Sequence, residues 1–116
     1  MTRLTAVLIA ILLLAGCAPK IEEEDAAALI RDVQPLFLRD LGEVPSDVWP
    51  ASVAKLEPQH VFVKDEGLYI AIDVLFVQEQ GLFVPRPGQE FVPSGVGSDP
   101  SYSALAHGIY SYKVKG

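Results

Sequence analysis

From Glu22 to Leu41 the apolar residues Ala26, Leu29, Ile30, Val33, Leu36, Phe37 and Leu41 recur at steps of three and four, with Arg31, Asp32, Arg39 and Asp40 mainly between them. That spacing predicts an amphipathic helix with one core-facing stripe. The acidic run Glu22-Glu23-Glu24-Asp25 suits the first turn, where the helix dipole favours negative charge. Pro35 lacks a backbone donor, so a kink or division is expected near it. Gly42, with Pro45 beyond, is placed to end the helix. Between Val44 and Pro58 three prolines punctuate the chain. Ser46 or Asp47 is expected to cap a short helix with Pro50 in its first turn. Trp49 reads as a packing anchor near its start, with Val53 and Leu56 facing inward.

The period then changes to two. His60 to Lys64 and Leu68 to Val77 read as two strands joined at Asp65-Glu66-Gly67, an antiparallel hairpin. Strict alternation puts Leu68, Ile70, Ile72, Val74 and Phe76 on the face that meets the helix. Tyr69, Ala71, Asp73, Leu75 and Val77 fall on the other. Gln78 to Gly81 reads as a turn, Leu82 to Val84 as a short strand, and Glu90 to Val92 as a short edge strand. Ser94 to Pro100 is loop chemistry, and Ser101 to Ala106 is expected to form one helical turn. Ile109 to Lys115 alternates again, with Tyr110, Tyr112 and Val114 packing. The pattern predicts an α+β fold, with one main N-terminal amphipathic helix packed on a small antiparallel β-sheet of three to five strands. A strongly curled sheet or incomplete barrel is the alternative.

The N terminus has a different pattern. Arg3 precedes an uncharged apolar stretch, Leu4 to Ala15, and Leu14-Ala15-Gly16-Cys17 follows at its end. Twelve helical residues span roughly 18 Å against about 30 Å of bilayer hydrocarbon, short for a membrane-spanning helix. The charged start, apolar middle and small residues before the cleavage point are those of an export signal. Residues 1–17 resemble the signal of bacterial lipoproteins, whose lipobox is Leu, a small or aliphatic residue, Gly or Ala, then Cys. The resemblance implies cleavage between Gly16 and Cys17, and a diacylglycerol thioether on Cys17, often with a further acyl chain such as palmitate on its amine. Residues 1–16 would then be signal peptide, 17–24 the lipidated Cys and a short tether, and 25–116 one domain. It implies a lipid-anchored cell-envelope protein. In a Gram-negative cell, Ala18 after the Cys favours the outer membrane, facing the periplasm. The resemblance covers residues 1–17 only, and the remainder of the chain is read from its residues alone.

Without Arg3 the mature part has eight Lys and Arg against fifteen Asp and Glu, a formal charge of −7. Such acidity argues against nucleic acid, which attracts basic patches. Lipidation would consume the single cysteine, leaving no disulfide, thiolate metal site or cysteine nucleophile in the domain. No metal or cofactor is expected. His60 and His107 lack the i+4 spacing of a zinc motif. The serines lack the Gly-x-Ser-x-Gly context, and Ser94-Gly95-Val96-Gly97-Ser98 lacks the Gly-Lys-Ser/Thr of a phosphate loop. Asp73, polar within an apolar run, reads as an outward-facing strand residue. No catalytic residues are expected. The loop 85–102 presents Arg86, Phe91 and Tyr102 and is the candidate binding element, since long loops often carry recognition. A non-enzymatic binding or structural module with an envelope protein partner is the expected function. An inhibitor of an exported lysozyme or protease, acting through that loop, is one alternative. An enzyme with no recognisable motif is another.

Overall fold

The computed structural model describes residues 21–95 and 97–115, so Leu14-Ala15-Gly16-Cys17 and the expected signal segment lie outside the described residues. The fold is α+β: a helix packed on one face of an antiparallel sheet. Helix α1 spans Glu23–Val33 and buries Ala26, Leu29 and Val33, the stripe its periodicity predicts. Pro35 divides it. A 3-10 segment, Gln34–Leu38, carries the chain on and buries Leu36 and Phe37. The helical stretch ends at Leu38 rather than Leu41, and both Leu38 and Leu41 are exposed. It begins at Glu23, well inside the chain rather than at its N terminus. Ile21 already packs against the core, so the folded part reaches into the expected tether.

Among the described residues the sheet has six strands rather than three to five: β1 (Gly42–Glu43), β2 (His60–Val63), β3 (Gly67–Leu75), β4 (Gln78–Pro85), β5 (Ser101–Ala106) and β6 (Ile109–Val114). They lie in the order β1-β2-β3-β4-β6-β5. Two strands appear where other structure was expected. Gly42 starts β1 instead of closing a helix, pairing with Val63. Ser101–Ala106 is a strand rather than a helical turn, because β6 folds back on it through His107 and Gly108, both at positive φ. Conversely, Glu90 to Val92 is irregular, and Phe91 packs onto the sheet instead of pairing at its edge. Between β1 and β2 lie a 3-10 turn (Ser46–Val48) and the short helix α2 (Ala51–Ala54). Trp49 sits between them, half-buried, donating Nε1–H to the Val44 carbonyl at 3.0 Å, the anchor its type suggests.

The β2–β3 hairpin forms as the alternation predicts, Lys64 N–H bonding the Gly67 carbonyl at 2.8 Å. β3 departs from strict alternation. A bulge between Ala71 and Asp73 inserts one residue opposite β4, and each later side chain changes face. Val74 therefore pairs with Glu79, and Asp73 with Gln80. The bulge lies across from Gly81, where a Cβ would collide with the Ile70 carbonyl oxygen. The turn is Phe76-Val77, two residues earlier than Gln78-Gly81. Phe76 takes φ 56° there, the first position of a two-residue turn, where glycine is the ordinary occupant. A side chain in this conformation costs roughly 1–2 kcal/mol.

The sheet thus has two unlike faces. Val61, Val63, Leu68, Ile70, Leu82, Val84 and Ile109 meet the helix in an aliphatic core. Tyr69, Phe83 and Tyr112 form an aromatic cluster joined by Phe62, Phe91, Tyr102, Tyr110 and Val114.

Candidate functional site

Register assembles the aromatic face. Tyr69 pairs with Phe83, and Phe83 with Tyr110, so three adjacent strands present rings in one row. Tyr112 lies beside it, edge-on to Tyr69 at 4.9 Å between centroids. Phe83, fully buried, is the hub: Tyr69, Phe91, Tyr102 and Tyr110 all lie within 4.6–6.5 Å of its centroid. Phe91 comes from the 86–100 loop and lies at 5.0 Å from Tyr102 and 5.2 Å from Tyr110, both near edge-on. The favourable geometry of offset and T-shaped rings accounts for how an irregular loop stays down on a sheet.

The hydroxyls have a direction. Tyr69 donates to a Glu66 carboxylate oxygen at 2.9 Å, so the 2.6 Å contact between Tyr69 and Tyr102 has Tyr102 as donor. Tyr112 donates to Glu79. Burial, then the Tyr102 and Glu66 contacts, push Tyr69 well above the usual tyrosine range. Burial and the Glu79 carboxylate do the same to Tyr112. Both remain neutral donors across the physiological range. They are suited to holding a surface in shape rather than to proton abstraction.

Of the three loop residues singled out from sequence, Phe91 and Tyr102 meet in this cluster and Arg86 does not. Arg86 donates to the carbonyls of Asp65 (3.0 Å), Phe37 (3.0 Å) and Lys64 (2.8 Å), with its guanidinium 5.2 Å from the centre of the Phe37 ring. It is a clamp joining the end of the helical stretch, the β2–β3 turn and the start of the loop. Arg86→Lys keeps the charge but loses the fork. It should cost about 2 kcal/mol, given 1.5–3 kcal/mol for a charged hydrogen bond, and raise amide exchange at Tyr102, whose N–H bonds Ser94. Unchanged exchange there would refute the clamp.

The remaining candidates disperse. His60 begins β2 beside Glu43 at 3.4 Å, while His107 is exposed in the β5–β6 turn, toward the other end of the sheet. Asp73 is exposed and accepts from Gln80 at 3.3 Å. It borders an open cleft of about 340 Å³ with Glu79, Gln80 and Lys113. Among the described residues no group of three metal-ligating side chains occurs, and no helix is long and apolar enough to cross a membrane. Sequence reasoning did not find Tyr69 and Phe83 as site residues. Their signal was the aromatic at matching positions of three strands, legible only once register is known.

The fold and site define a small α+β domain whose sheet is aliphatic toward its helix and aromatic on its outer face. Comparison with known families, curated proteins and solved structures finds no match to this chain.

Proposed function

We propose that this chain is a lipid-anchored protein of the bacterial cell envelope, and that its domain is a non-enzymatic module binding an envelope protein through the aromatic face of its sheet. Leu14-Ala15-Gly16-Cys17 supports the anchor. The observation that carries the binding role is the half-buried ring group Phe91, Tyr102 and Tyr110, set on a buried Phe83. Tyr and Phe are enriched at protein interfaces because they offer large contact area with few rotamers to freeze. Clamped by Arg86 and by mutual ring contacts, this group needs little further ordering on binding, which lowers the entropic cost of association. In a Gram-negative cell, Ala18 after the Cys favours the outer membrane, facing the periplasm.

Two measurements test the reading separately. Cys17→Ser should abolish palmitate incorporation and release the protein from sedimented membranes; persistence of both refutes the anchor. A photocrosslinker at Phe91 in intact cells should trap one envelope protein, and Tyr110→Ser should reduce that product by about tenfold, the equivalent of roughly 1.4 kcal/mol. Crosslinks that are diffuse, or indifferent to Tyr110, refute the aromatic face as the interface.

A further inference from the structure

The tip of the β3–β4 hairpin runs against ordinary turn chemistry. Leu75, Phe76 and Val77 are 60%, 94% and 71% exposed, and Phe76 also holds positive φ. Asn or Gly would satisfy both the backbone and the solvent better. No charge falls between Val74 and Gln78. Contiguous exposed apolar side chains mark a surface meant to be covered.

The fold says what lies near that tip. Arg86 ties the Phe37 carbonyl to the β2–β3 turn, so the helical stretch ends at that end of the sheet. Its first turn meets Lys55, whose Nζ lies 3.6 Å from Asp25, just before the chain enters β2 at His60. Helix α1 therefore starts toward the hairpin end. β2 last pairs with β3 at Ala71, and five further residues carry the hairpin out to Phe76, about 16 Å at strand rise. Cys17 is four residues before Ile21, which is packed on the core. Four residues span at most about 14 Å. The reach of the anchor and the projection of the hairpin are of similar length.

Resting on the lipid anchor proposed above, we propose that Leu75-Phe76-Val77 is a second membrane contact, inserting into the interfacial layer of the bilayer that holds Cys17. The short tether keeps the tip at high local concentration beside that bilayer. With two points of contact the domain stands in a fixed orientation, and its aromatic face lies alongside the membrane normal rather than against the lipid. The contact is apolar, so salt leaves it unchanged.

The full lipidated chain in phosphatidylcholine–phosphatidylethanolamine vesicles provides the test. Lipidation blocks Cys17, so Phe76→Cys carries the one free thiol and takes an environment-sensitive fluorophore. Its emission should shift to the blue and be quenched by brominated lipid, while the same label at Asp65→Cys, in the β2–β3 turn, should stay aqueous. A label at Val77→Cys should lose its shift when Phe76→Asn is added, a change at an exposed turn position that the fold tolerates. Aqueous emission at position 76 on protein that co-sediments with the vesicles overturns the inference while leaving the anchor intact. Shielding in intact cells but not on vesicles overturns it in favour of a protein partner. Failure to co-sediment removes the anchor itself, and the inference with it.

Discussion

Phe83→Ala should lower the stability of the domain by about 3–5 kcal/mol, the range for removing a fully buried aromatic side chain. For a domain near 100 residues, each kcal/mol moves the melting temperature by roughly 4–8 °C, so a fall of at least about 12 °C is expected. Phe83 has no solvent exposure and supports rings from β3, β6, β5 and the 86–100 loop. Its loss opens a cavity that cannot close by one neighbour moving, because Tyr69 and Tyr102 are fixed by their hydroxyl chain to Glu66. Phe83→Leu, which keeps most of the volume, should cost about half as much. Amide exchange would show the 86–100 loop released first, since Phe91 loses the ring it sits on. A cost below about 1 kcal/mol would mean that the outer face is surface decoration and that the helix-side core alone holds the fold.

That outer face explains which parts of the structure the sequence could disclose. The α1 stripe and the β2–β3 hairpin were legible because each is set locally, by a 3.6 period and by Asp65-Glu66-Gly67. Tyr110, Tyr112 and Val114 also fell on one side by simple alternation. The errors share a cause in distant contacts. β5 has small residues and no strand signature of its own, and takes its conformation from pairing with β6. The bulge after Ala71 arises where Gly81 lets β4 approach the β3 backbone, and nothing within β3 announces it. It moves the turn to Phe76-Val77, a pair that no turn preference would select. Phe91 and Tyr102 were visible as aromatic residues on a loop, but Arg86 is charged for a structural purpose, and only its three carbonyl partners reveal that.

Gly81 and Phe83 act within β4 to hold the sheet, but the tyrosines decide how it responds to pH. Alkaline solution should unfold the domain steeply. Tyr69 and Tyr112 are 5% and 2% exposed, and each donates a hydrogen bond to a carboxylate, Glu66 or Glu79. Ionising either would place a buried phenolate against a carboxylate, so both are held protonated in the fold well beyond the usual tyrosine value. In the unfolded chain they ionise near pH 10. Below that pH neither state loses the proton, and this stability is fully present. Above it the unfolded state sheds two protons that the folded state keeps, and stability falls as pH rises. The slope is about 1.4 kcal/mol per pH unit for each tyrosine, roughly 2.7 kcal/mol for the pair. Against a total of about 5–15 kcal/mol, two to three units suffice to reach the midpoint for a domain at the low end. Urea titrations between pH 8 and 12 should show this slope, with the phenolate absorbance of these two residues appearing together with unfolding rather than before it. Tyr69→Phe and Tyr112→Phe should each remove one proton from the linkage, and the double variant should remove their joint contribution. A double variant with the slope unchanged would show that these hydroxyls are not buried donors, and with that the rigid aromatic platform would lose its footing.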